Sequence, residues 1–230
     1  MIEWPDILKP RTVTFALKGR AVSGGAALEG RDQRVASDAG FWAADLAQFP
    51  IVTRDKARAW RSTIAKMDGG VETVEIPVMD CKYKLSATLD GVEVVNNGQP
   101  HSDGTYFTDG TGYDEPDEVV LPFRLTANAA LRATTISVEL DDEEIVVGMA
   151  EGIYFSIGTR LYLVTGVEET AANQWDITFR PPLRSAAATG AHIDFLSPSI
   201  EMRIADPNAG ELPLDLLRFA FPSLSFIEAI

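Results

Sequence analysis

A single segment with helical spacing stands in a chain whose apolar residues otherwise alternate. That contrast limits the fold to a mainly β architecture with one helix. Ala57, Trp60, Ile64 and Met67 recur every three or four residues, Thr53 is placed to cap the N-terminus, Asp55 lies in the first turn and Gly69-Gly70 supplies a stop. The spacing predicts a helix over 53–68. Elsewhere the period is two, as in a half-buried strand. Val13, Phe15 and Leu17 alternate with Thr12, Thr14 and Ala16, and Ser23-Gly24-Gly25 is expected to break that strand. Trp42, Ala44 and Leu46 share one face of a run from Phe41 to Phe49 that Pro50 closes, and Val74, Ile76, Val78, then Leu85, Ala87 and Leu89 alternate again.

Between Asn96 and Glu118 the alternation dissolves into Asn97-Gly98, Asp103-Gly104, Asp109-Gly110 and Tyr113-Asp114-Glu115-Pro116. Such clusters mark turns, and a loop of this length is functional or a boundary. Five short strands at close spacing follow, in Thr135–Leu140 with Ile145–Val147, in 153–157, in 160–167, in Trp175–Phe179 and in 191–196, with Asp141 to Glu144 as a charged turn. Strands so short and so closely spaced predict a small OB-like barrel. Ile200, Met202 and Ile204 then alternate, and Phe219, Phe221, Leu224 and Phe226 read as strand residues needing a buried face. The expected organisation is therefore a β-sandwich belt domain over 1–118, with its helix and the 96–118 loop, an inserted barrel over 119–198, and C-terminal strands over 199–230 that return to the belt domain.

Composition narrows the function classes. The 230 residues are 46% hydrophobic and 23% charged, which is enough for a real core and excludes global disorder. No uncharged stretch approaches the roughly 20 residues that cross a bilayer as a helix. The opening Met1-Ile2-Glu3-Trp4-Pro5 has no basic or apolar region of the kind a signal peptide carries. One cysteine, Cys81, allows no internal disulfide. The net charge of −14 argues against a surface that grips nucleic acid, which needs clustered Lys and Arg, and suits a wall that DNA passes without sticking.

The search for chemistry is mostly negative. No phosphate-binding loop, nucleophile elbow, zinc-protease motif or dinucleotide fingerprint occurs, and Gly110-Thr111-Gly112 lacks the flanking strand and helix. His101 and His192 are far apart, and Cys81 lies between Asp80 and Lys82 with no base nearby. Asp103, Asp109, Asp114 and Asp117 offer oxygens for calcium without the EF-hand spacing. Among 34 carboxylates no pair stands out as an acid and base for hydrolysis, so no catalytic residue, cofactor or metal is assigned. Aromatic side chains could stack on sugars. Trp42 and Trp60 lie on apolar faces and read as core; the glycan-contact candidates are Tyr106 and Tyr113 in the loop, beside Phe107, and Tyr162 and Trp175 in the barrel.

Taken in order along the chain, several short motifs form a combination. Trp4-Pro5 with Leu8 and Pro10 opens a strand through Phe15, and the helix bearing Ala57, Trp60 and Arg61 leads into Val74-Glu75-Ile76-Pro77. Gly158, Arg160-Leu161-Tyr162-Leu163-Val164 and Arg180-Pro181-Pro182-Leu183-Arg184 follow, and the end reads Leu224-Ser225-Phe226 before Glu228. This order resembles the distal tail proteins of long-tailed bacteriophages of the siphovirus type, particularly those of alphaproteobacterial hosts. The resemblance implies a structural, non-enzymatic protein of the virion, assembled in the bacterial cytoplasm as a six-fold ring. That ring joins the tail tube to the baseplate hub, contacts the tube, tape-measure and hub proteins, and lets phage DNA through its lumen, with acidic residues enriched on the lumen side. It also implies an outward accessory domain; the 80 residues over 119–198 suit a barrel better than a galectin-like sandwich. The alternative expectation is a carbohydrate- or receptor-binding module of the tail tip, acting in host adsorption.

Overall fold

The structure, a computed structural model, describes residues 1–26, 32–79, 85–89, 92–93, 121–142, 145–215 and 219–230. Among them the chain forms β1 (Ile2–Glu3), β2 (Thr12–Ala26), β3 (Asp32–Ala47), α1 (Arg54–Met67), β4 (Val74–Pro77), β5 (Ser86–Leu89), β6 (Val92–Glu93), β7 (Phe123–Leu125), β8 (Thr135–Leu140), β9 (Ile145–Gly148), β10 (Tyr154–Ile157), β11 (Arg160–Ala171), β12 (Gln174–Arg180), β13 (Ser199–Ile204) and β14 (Leu224–Glu228). The class is mainly β, with one α-helix among the described residues.

The helix forms where its end signals lie. Thr53 is extended (φ −120°, ψ 157°), and its hydroxyl accepts the Lys56 N–H at 3.3 Å, satisfying one of the four donors a helix start leaves unpaired. Asp68 takes a left-handed φ of 44° at the other end, and Gly69 and Gly70 continue at positive φ, so the chain turns away sharply. Trp60, Thr63 and Met67 make the buried face, with Ala57 and Ile64 packed beside it.

One sheet has the order β1-β4-β13-β14-β3-β2. β1 runs parallel to β4, and every other neighbour is antiparallel. β13 and β14 therefore lie between β4 and β3, and the C-terminal strands complete a sheet begun at the N-terminus. Period-two alternation turns Trp42, Ala44, Leu46, Val74, Ile76, Ile200, Met202, Leu224 and Phe226 to a single buried face. That face is covered by α1 and by Tyr154, Leu161 and Leu163 of β10 and β11. Burying both sides of β11 in this way couples the two cores through one strand.

A second core gathers around the five-stranded sheet β10-β11-β12-β8-β7. The sheet curls until its two edges meet one short segment. Ile193 N–H donates to Phe123 O (3.0 Å) on the β7 side, while Asp194 exchanges both backbone bonds with Ser156 of β10 (2.9 Å each). Ile193 and Phe195, buried between them, point into the core. β9 does not join this sheet: it pairs with β5, and β5 with β6, in a separate three-stranded sheet. Leu85 and Ala87 belong to the second core, so the chain enters it upstream of residue 119.

Some local expectations need correction. β2 does not stop at Ser23-Gly24-Gly25. Ser23 pairs with Arg34 and Ala26 with Asp32, and a register shift between them absorbs the glycines. A partner strand turns a nominal break into a bulge. The segment 191–196 forms isolated bridges rather than a full strand. Phe221 is not buried but 41% exposed, because its neighbours Ala220 and Pro222 face inward instead. Cys81, His101 and the whole 96–118 loop lie outside the described residues.

Candidate functional site

The two cores meet at a polar hub. Arg184, just beyond β12, donates from Nε to Glu228 Oε1 and from Nη2 to Oε2, both at 2.8 Å, and also from Nη2 to the Gly40 carbonyl. Glu228 Oε2 accepts the Trp42 backbone N–H at 3.0 Å as well. The carboxylate is wholly buried and the guanidinium 14% exposed. Paired and bidentate, with both carboxylate oxygens hydrogen-bonded, the charges avoid the cost of lone burial. The Arg184 backbone N–H donates to the Tyr162 hydroxyl (3.1 Å), and the Trp42 indole donates to Leu161 O (2.8 Å). Burial pushes the Tyr162 phenol above its ordinary 10.0, and the neighbouring Arg184 opposes the rise. With both Glu228 oxygens engaged, the hub holds the curled sheet on the six-stranded one.

A cleft of about 750 Å³ opens on the β1–β4 side. It is walled by Glu3, Asp6 and Glu75 from one unit and by Ser156, His192 and Asp194 from the other. Part of this polarity is spoken for: Glu75 accepts the Ser199 hydroxyl at 2.6 Å, and Asp194 Oδ1 accepts the N–H groups of Leu196 and Ser197. Among the described residues, no group of three or more His, Cys, Asp or Glu side chains is arranged to hold a metal ion. No helix among them is long and apolar enough to cross a membrane.

The six-stranded sheet ends in two unlike edges. β1 is two residues long and is followed by Trp4-Pro5. β2 is 15 residues long and has β3 as its strand neighbour. Toward the sheet's middle, β3 pairs with β14 only over 43–46, so most of the β2–β3 hairpin is a two-stranded ribbon among the described residues.

The glycan-contact candidates divide. Tyr162 is 1% exposed, stacked against Phe155 with ring centroids 5.3 Å apart, and Trp175 is 6% exposed beside Phe123. Neither offers a ring face to solvent, which stacking on a sugar requires, so both are core residues. Tyr106 and Tyr113 lie outside the described residues. His192 is exposed on the cleft wall, and Trp4, Trp42 and Trp60 are buried with each indole N–H donated to a backbone carbonyl. Arg184 and Glu228 were not singled out as a pair from the sequence, being 44 residues apart. One signal was present: Glu228 follows Leu224 and Phe226 at core parity, and a carboxylate there calls for a buried cation. No protein-family model and no curated protein matches the chain.

Proposed function

We propose that the chain is a structural subunit of a phage tail tip, forming a six-membered ring that joins the tail tube to the baseplate hub. It acts without catalysing a reaction. Phage DNA passes its lumen unbound, and the tube, tape-measure and hub proteins are its partners in the virion. The observation that carries the reading is the six-stranded sheet with a long edge at β2 and a different, short edge at β1. Unlike edges on one subunit join head to tail, and such a join, repeated with a rotation that divides the full turn, closes a ring. A long strand edge left open, as that of β2 is among the described residues, is an aggregation hazard in a monomer, and a neighbouring subunit removes it. The order of sequence motifs supports the same assignment, and the net charge of −14 suits a channel that repels phosphate.

The test is the mass of the purified full chain in solution, with negative-stain imaging of the same material. Ring-shaped particles near six protomers are expected. A chain that stays monomeric alone, and also fails to assemble when mixed with tail-tube and hub proteins, overturns the reading.

A further inference from the structure

The strands at the two edges of the sheet carry charge of opposite sign. Between Asp6 and Glu29 the chain carries Lys9, Arg11, Lys18 and Arg20 and no carboxylate, although the protein as a whole has 34 acidic residues against 20 basic ones. Lys18 and Arg20 lie in β2, the edge strand, and Arg11 directly precedes it, while Lys9 sits in the segment that crosses from β1, three residues from Asp6; Lys9, Arg11 and Lys18 are exposed. Beside the start of β2 is a small apolar patch. Phe221 is 41% and Val52 55% exposed, Phe219 packs on Phe221 with centroids 6.2 Å apart, and the Arg11 guanidinium lies 5.1 Å from the Phe221 ring centre. Aromatic rings carrying an Arg are the composition of an interface centre rather than of idle surface.

At the far edge the sign reverses. Glu3, Asp6 and Glu72 are exposed, Glu75 is half-buried, and the cleft there has no Lys or Arg in its wall, with the Met1 ammonium, 3.8 Å from Glu72, set against those carboxylates. The two edges lie five strand spacings apart, roughly 24 Å, and face away from each other. One molecule cannot bring them together; two can.

We propose that the basic β2 edge of one copy, with Lys18 along it and Arg11 and Phe221 at its start, docks against the acidic cleft at the β1–β4 edge of the next copy. The proposal rests on the ring reading and names its contact. A basic side chain such as Lys18 on an edge that is open among the described residues also discourages indiscriminate strand pairing, so what rejects stray neighbours accepts an acidic one. Opposed charge steers encounter and sets the direction of joining, because basic edge against basic edge and acidic against acidic both repel.

The experiment uses the full chain and measures association by sedimentation velocity between about 50 mM and about 500 mM salt, over which the screening length falls from roughly 14 Å to about 4 Å. The wild type is expected to associate more weakly at high salt. R11E/K18E makes both edges acidic, and E3K/D6K makes both basic; each alone is expected to weaken association about tenfold or more. All four side chains are exposed, so both variants should fold, and matching thermal melts check it. Mixing the two variants presents opposite charges at every join and is expected to restore assembly, which no folding defect would do. Association of the wild type that neither variant weakens, or a mixture that fails to recover, overturns this contact and leaves the ring standing. A wild type that does not associate at either salt overturns the contact and counts against the ring as well.

Discussion

Replacing Arg184 by Met tests whether the hub holds the two cores together. The substitution keeps an apolar stem of similar length and removes the guanidinium, leaving the Glu228 carboxylate with the Trp42 N–H at 3.0 Å and no cation. Removing one partner of a buried pair costs about 3–5 kcal/mol, and the 14% exposure of Arg184 places this case near the lower end. For a chain of 230 residues, about 3 kcal/mol lowers the melting temperature by about 10 °C. The second variant, R184M/E228Q, removes the orphaned charge while the Gln carbonyl still accepts the Trp42 N–H. It should regain most of the loss and finish within about 1–2 kcal/mol of the wild type. Urea unfolding followed by tryptophan fluorescence and by far-ultraviolet circular dichroism measures both, and compares the m-values. A loss below about 1 kcal/mol in R184M refutes the argument. So does a double variant no better than R184M, since the damage would then come from lost packing and not from an unpaired charge.

Further outcomes follow from three individual residues. Because burial raises the Tyr162 phenol above 10.0, the folded chain holds this proton where the unfolded chain loses it; stability should be fully present below pH 10 and fall as pH rises through the folded-state value, with ultraviolet titration showing one tyrosine that ionises late. Tyr162→Phe, which strips the acceptor from the Arg184 N–H, should cost about 1 kcal/mol and remove that late ionisation. At Gly210, where φ is +102° and an added Cβ would come 2.7 Å from Ile64 Cδ1, Ala should destabilise by about 1–3 kcal/mol in a thermal melt. Thr53→Ala, losing the helix cap, should cost about 1 kcal/mol, and Thr53→Asp should restore it.

What could be read along the chain was whatever depends on neighbours within a few residues. The Thr53 cap, the spacing of Ala57, Trp60, Ile64 and Met67, and the Gly69-Gly70 stop all act inside one helix, and α1 spans Arg54–Met67. Alternation in Val74–Ile76, Ile200–Ile204 and Trp175–Phe179 set which side of each strand is buried, because a pleat assigns faces by parity alone. Strand partners were not readable. Nothing local tells Ile145–Gly148 to pair with Ser86–Leu89 rather than with the sheet of Thr135–Leu140, since any edge of matching parity offers the same backbone bonds. Tyr162 and Trp175 stand as glycan-contact candidates by sequence, and only the curling of the sheet around them buries both. The Arg184–Glu228 pair and the opposition of the two edge charges likewise exist only once distant segments meet. Secondary structure and facing are short-range properties that sequence by itself determines; pairing, burial of a given ring and the sign of charge on a surface depend on which remote elements become neighbours, and tertiary packing alone decides that.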